Sequence, residues 1–170
     1  MRSIIGVFGL FLALSFGQPA FGWGDEGHGA IALLAQRYMT PATNAKVQAL
    51  LSADPDQRTG HVIASAATWA DRYRDSDRNT TRERYTHTRL WHFVDIELRA
   101  PNIDTACFGH PPVPPGMPAS AGPDRQCVVD KVNQFAAELA NPAIDLRERI
   151  VALKFLLPSC RGSAPAAARG

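Results

Sequence analysis

Apolar residues return at helical spacing along most of this chain, and that period limits its fold more than any other feature. Ile31, Leu34 and Tyr38 mark one apolar face, led in by Gly24 to Gly29. Thr40-Pro41 reads as an N-cap and first helical residue, opening a helix to about Leu51. Ile63, Ala66, Ala67, Ala70 and Tyr73 form the next stripe, and Val128 to Leu139 and Leu146 to Leu157 read as two further amphipathic helices. Asp54 to Gly60 is a polar turn, Asp75 to Thr81 a polar connection, and Pro101 to Asp124 a proline-dense loop. Arg89 to Leu98 alternates loosely and is expected to be extended. No internal repeat is visible. The expectation is an all-α, mainly helical single domain.

The N-terminus carries an export signal. Arg2 supplies the positive start, Ile4 to Phe16 the apolar core, and Ala20-Phe21-Gly22 a small-x-small cleavage site. That core is shorter than the ~20 residues a spanning helix needs, and no second long apolar stretch follows. The reading is a signal peptide over 1–22 and an exported chain, periplasmic or secreted, with no membrane attachment after cleavage. Cleavage after Gly22 makes Trp23 the first mature residue and frees an α-amine that can bind a metal.

About 150 residues remain, enough for one core. The formal net charge of +2 falls to +1 with the loss of Arg2. There is no broad basic face, so nucleic-acid binding has to be local. Arginines concentrate between Arg72 and Arg99 among several acids, a pattern whose ordinary reading is a solvated face. Cys107 and Cys127 bracket the proline-rich loop and are expected to pair in an oxidising compartment, which leaves Cys160 over.

Candidate chemistry lies at four places. These are His28, Asp71 in Trp69-Ala70-Asp71, His92 followed by Phe93 and Asp95, and the new N-terminus. Asp71 and Arg74 are three apart and share a helix face. Amine, imidazole and carboxylate together suit zinc. Each residue alone has an ordinary alternative. Asp71 could pair with Arg74, and His92 could be a hydrogen-bonded core histidine. His61, His87 and His110 show no partner pattern and read as surface or structural.

Taken together, Trp-Gly-x-x-Gly-His at 23–28, Trp-Ala-Asp-x-x-Arg at 69–74 and His-Phe-x-Asp at 92–95 resemble the S1/P1 nucleases. These are secreted, mainly helical, trinuclear-zinc phosphodiesterases related in fold to zinc phospholipase C. The resemblance runs from Trp23 to about Leu157, so the expected domain is 23–157, with an unrelated tail over 158–170. It implies that Trp23 binds zinc through its amine and carbonyl with His28 on the same ion. Asp71 and His92 would help hold a second zinc, and Asp71 and Arg74 would form the catalytic pair, Arg74 stabilising phosphoryl charge. Phe93 would stack on a base and Asp95 would hydrogen-bond its edge. The implied substrates are single-stranded DNA, RNA or nucleotides, cut to 5′-phosphate products by a monomer. The alternatives are a zinc phospholipase C-like phosphodiesterase and a non-catalytic exported helical protein.

The family also carries a cluster His-x-x-x-Asp-x-His-Gln-Pro-Leu-His after a helix ending like Ala152 to Leu157. Here the chain continues into Pro158-Ser159-Cys160-Arg161 and an Ala/Pro/Arg tail, with no histidine after His110. One permitted codon choice for Arg161 to Gly170, read one base later, gives Gly-Asp-Leu-His-Gln-Pro-Leu-His-Ala. The expectation is therefore a frame change just after Leu157, an incomplete zinc set, little activity, and an apolar surface left uncovered on the helix Leu146 to Leu157.

Overall fold

The computed structural model describes residues 24–159. The proposed signal, Trp23, Cys160 and the tail from Arg161 lie outside these described residues. The elements are all helical: α1 (Asp25–Arg37), α2 (Pro41–Ser52), α3 (Ile63–Ala66), α4 (Trp69–Asp75), α5 (Glu83–Thr88), α6 (Ile103–Ala106), a 3₁₀ turn (Ala119–Ala121), α7 (Val128–Ala140) and α8 (Leu146–Ser159). No strand occurs among the described residues, so Arg89 to Leu98 is irregular rather than extended in a sheet. No helix among them is long and apolar enough to cross a membrane.

Local chemistry explains most of the boundaries. The Thr40 side chain accepts from the Thr43 amide at 3.1 Å and Pro41 opens α2, as the sequence indicates. Asp145 accepts from the Arg147 amide at the start of α8. The stripe Ile63 to Tyr73 is not one helix but two. Thr68 turns its hydroxyl back onto the Ser65 carbonyl at 2.9 Å, and the Thr68 amide bonds the same carbonyl at 3.1 Å, closing α3 before α4 begins. Asp77 sets the start of α5, which the sequence reading does not find. Its carboxylate accepts from the Arg84 and Tyr85 amides.

α8 runs through the middle, in contact with α1, α2, α3, α4, α7 and the 3₁₀ turn. Ile150, Leu153 and Leu157 join Ala32, Val47, Leu50, Leu51, Ile63, Ala66 and Ala67 in one apolar cluster. Ala152 and Phe155 face a second, aromatic cluster with Trp69, Trp91 and Phe135. Phe155 stacks on Phe135 with centroids 4.8 Å apart and meets Trp69 and Trp91 edge-on at 5.4 and 5.5 Å. A helix buried on two sides has no single apolar stripe. Of the apolar surface expected to be uncovered on α8, Leu146 is 51% exposed at its first turn, while Ile150, Leu153, Phe155 and Leu157 are buried.

α1 is reversed relative to its sequence reading. It buries His28 and Ala32, while Leu34 is 51% and Tyr38 83% exposed. α1 packs against α3 through this side: a Cβ on Gly29 would stand 3.5 Å from the Ala64 carbonyl oxygen, an ordinary contact that leaves room for a methyl and little more.

The proline-rich segment is pinned rather than loose. The Cys107–Cys127 disulfide forms as expected and both cysteines are buried. Closing a loop of that size contributes about 3 kcal/mol by chain entropy. The Ala119 amide donates to Glu138 and the Ser120 hydroxyl to Glu148, each at 2.6 Å. Lys131, 1% exposed, donates its ammonium to the Ala119 carbonyl at 2.7 Å and lies 3.6 Å from the Trp91 ring centroid.

Burial pushes the Lys131 ammonium down to about 7, with Glu138 and Asp130 opposing that shift. The unfolded chain holds this proton up to the ordinary value of 10.5. Between those values the unfolded state binds more protons, so this group makes stability rise with pH from about 7 towards 10.5. Urea unfolding across that window should show a shallower rise in Lys131→Met than in wild type. Identical pH curves would mean that Lys131 keeps its ordinary proton affinity.

Candidate metal centre

The centre begins with how α1 is set. Gly24 has extended geometry and gives its carbonyl to the His28 amide, with Asp25 and Glu26 in the first turn where the helix dipole favours acids. This places His28 on the buried side of α1, 6% exposed. Asp25 reaches Arg72 at 2.7 Å and ties the start of α1 to α4. Both partners are about half exposed, so the contact orients more than it stabilises.

α4 supplies the carboxylate. Trp69, the first residue of α4, donates its indole N–H to Asp56 at 2.9 Å and stacks on Tyr73. Two positions further, Asp71 bridges two side chains. Its Oδ2 lies 2.9 Å from His28 Nε2, and its Oδ1 accepts from Arg74 Nη1 at 2.7 Å. Arg74 in turn donates from Nε and Nη2 to the two oxygens of Asp75 at 2.8 and 2.7 Å. Three of the five guanidinium N–H bonds are engaged in this way, which leaves two for another acceptor. Asp75 is the member of this network that the motif reading misses; its signal was a carboxylate next to Arg74 in sequence.

His92 completes the group from the irregular turn after α5. Both of its ring nitrogens are shut off from solvent and neither makes a well-formed hydrogen bond, although the Thr88 backbone is near enough to favour the protonated ring; His28 Nδ1 is buried without a partner. Burial drives the His92 imidazole down to about 4, against the pull of the Asp71 carboxylate. Burial also acts to raise Asp71, but the His28 hydrogen bond and the charges of His92 and Arg74 outweigh it and hold the carboxyl at about 2. His28, Asp71, His92 and Arg74 thus share one field.

Buried polar atoms without partners are rare and costly. Imidazole nitrogens beside an ionised carboxylate are a donor set that zinc accepts. The residues fit a metal on that ground. Trp23, the remaining expected donor, lies outside the described residues.

Phe93 and Asp95 fall together in a different place. They line a cavity of about 780 Å³ with Leu90, Ile96, Asn102 and Phe108. Phe93 is 54% exposed, so its ring is available to a ligand. Its backbone carbonyl accepts from the Val128 amide at 3.0 Å, which fixes the turn between His92 and the cavity. The other histidines have their own places. His87 meets the Ser120 carbonyl and the Trp91 ring, and His110 lies between Asp104 and Asp130. His61 Nε2 is buried without a partner, a feature for which the sequence gives no signal.

Residues 23–158 match the family model described as S1/P1 Nuclease. The chain is 32% identical over 88 residues to Nuclease S1 of Aspergillus oryzae (strain ATCC 42149 / RIB 40), an overlap covering 52% of this chain and 27% of that protein. It is 32% identical over 89 residues to Nuclease P1 of Penicillium citrinum, covering 48% and 28%. The chain spans just over a quarter of the length of these curated relatives.

Asp71→Asn should lower the stability of the chelator-treated protein by about 1.5–3 kcal/mol, the range for hydrogen bonds to charged groups. Asp95→Asn, on an exposed residue, should change it by no more than about 0.5 kcal/mol. Urea unfolding of both variants measures this. An Asp71→Asn protein as stable as wild type would mean that the carboxylate does not hold His28 and Arg74.

Proposed function

The chain belongs to the S1/P1 nuclease family, and from that premise we propose that its site serves zinc-dependent hydrolysis of phosphodiester bonds in single-stranded DNA or RNA, leaving 5′-phosphates. The observation that carries this reading is the set of buried, unpartnered imidazole nitrogens of His28 and His92 around the Asp71 carboxylate. These three side chains, with the Trp23 amine, are the residues that would hold metal. Zinc supplies Lewis acidity towards the phosphoryl group when bound.

The chain's own groups do the rest. Asp71 fixes both the His28 ring and the Arg74 guanidinium. Arg74, oriented by Asp71 and Asp75, turns its two remaining N–H bonds to phosphoryl charge as that charge grows. Phe93 offers a ring to a base, and Asp95 accepts hydrogen bonds from the base edge. A base enters such a cavity only by leaving its stack, which is cheapest in unpaired nucleic acid.

Zinc prefers about four donors per ion. Three side-chain donors and one amine, shared among more than one ion, fall short of that. We therefore expect this chain to bind zinc incompletely and to turn over little. We also infer that it works outside the cytoplasm, as a monomer.

Calorimetric titration with zinc should give binding in wild type that weakens at least tenfold in His92→Ala. Phe93→Ala should leave zinc affinity in place and weaken oligothymidylate binding by about 1–3 kcal/mol, the stacking contribution of one base. Equal zinc affinity in wild type and His92→Ala would remove His92 from the ligand set. Oligothymidylate affinity unchanged in Phe93→Ala would remove the base pocket.

A further inference from the structure

The arginines between Arg72 and Arg84 divide into two groups. Arg72 and Arg74 are neutralised by Asp25, Asp71 and Asp75. Arg78, Arg82 and Arg84 are exposed, and none of them forms an ion pair among the described residues. The nearby Asp77 carboxylate forms no ion pair with them, although the Arg84 charge acts on it. It is 6% exposed and is consumed by the Arg84 and Tyr85 amides and the Thr81 hydroxyl. Glu83 is the like-charged neighbour that works against an anion here.

What holds these guanidiniums is aromatic. Arg78 and Arg82 lie 5.0 and 5.2 Å from the Tyr85 ring centroid. Arg84 lies 5.5 Å from the Tyr73 centroid, as does Arg58, which is already paired with Asp56. Arg84 also donates to the Ser76 hydroxyl at 3.1 Å. Tyr73 is itself stacked on the buried Trp69, so the array is anchored in the core. A guanidinium resting on a ring keeps its charge and its N–H edge and gives up side-chain freedom in advance. Such an edge matches phosphate in a bidentate way. The array also continues from the candidate centre. Asp75, gripped by Arg74, is near enough to Arg78 for that charge to act on it.

We propose that Arg78, Arg82 and Arg84, held on the Tyr73 and Tyr85 rings, form a phosphate-tracking surface for the backbone of a single-stranded nucleic acid beyond the nucleotide in the Phe93 and Asp95 cavity. The inference rests on the substrate reading above and adds a surface adjoining the proposed chemistry. It also reconciles nucleic-acid binding with a chain of formal net charge only +2, because the cationic edge is local.

The test is anisotropy of a labelled long oligothymidylate and of a dinucleotide, with the full chain in chelator, over a series of salt concentrations. Each phosphate contact on a single strand contributes a slope of about 0.7 in log K against log salt. The triple variant Arg78→Gln, Arg82→Gln, Arg84→Gln should lose about two units of slope on the long strand and little affinity for the dinucleotide. Phe93→Ala should weaken both ligands with the slope unchanged. Should the Gln variant fold poorly, the triple Arg→Lys variant keeps the slope and loses affinity, and Tyr85→Leu does the same for Arg78 and Arg82. An unchanged slope in the Gln variant, or equal losses for both ligands, overturns the inference. Binding of anionic phospholipid vesicles in place of oligothymidylate overturns it too. If Phe93→Ala weakens binding and the arginine variants do not, this inference alone falls. If wild type binds no oligothymidylate at low salt, the substrate reading falls with it.

Discussion

The Lys154 ammonium, 1% exposed in the centre of the molecule, is the interaction on which the rest depends. It donates to Asp54 at 2.6 Å across 100 residues of sequence, stands 3.8 Å from Asp56, and lies 4.0 Å from the Trp69 ring centroid. Burial pushes its proton affinity down, and the carboxylates of Asp54 and Asp56 push it back. A buried charge that loses its partner costs about 3–5 kcal/mol, so α8 and the turn Asp54 to Gly60 are held in one register. The same Asp56 receives the Trp69 indole N–H. Trp69 opens α4, and Asp71 follows two positions later. The position of the candidate centre is therefore inherited from a core ion pair.

Around that frame the polar groups divide by whether they are satisfied. Asp54, Asp56, Asp77 and Lys131 each find partners within the fold. The ring nitrogens of His92 and the Nδ1 of His28 do not. Glu138 Oε2, Arg149 Nε and His61 Nε2 are also buried without partners, but at His28 and His92 the bare imidazole nitrogens gather around one ionised carboxylate, Asp71. That grouping, more than the presence of any one residue, is what would suit a metal here. The same economy separates Arg72 and Arg74, which are bound to carboxylates, from Arg78, Arg82 and Arg84, which rest on rings.

The helical class, the α2 boundary, both long C-terminal helices and the Cys107–Cys127 pair were legible in the sequence, because period, capping and cysteine spacing are local signals. His28, Asp71 and Arg74 could be grouped only through motifs, and their contacts now place them together. What stayed hidden was long-range. Nothing local to Lys154 or Lys131 marks either as a core residue, since the compensating Asp54 and Ala119 lie far away in sequence. The periodicity of α1 points to Ile31, Leu34 and Tyr38, yet α3 packs on the side of Gly29 and the buried Ala32 instead. α8, read as amphipathic, is instead covered from two directions, and Thr68 breaks a continuous apolar pattern with a single hydroxyl.

The central claim is that imidazoles and a carboxylate from α1, α4 and the turn after α5 meet as metal donors. X-ray absorption at the zinc edge, on the full chain loaded with one equivalent of zinc, reads the donor atoms directly. Nitrogen and oxygen neighbours at about 2.0–2.2 Å are expected, with outer-shell imidazole scattering that diminishes in His92→Ala. Sulfur neighbours at about 2.3 Å, or a spectrum without imidazole scattering, would contradict it.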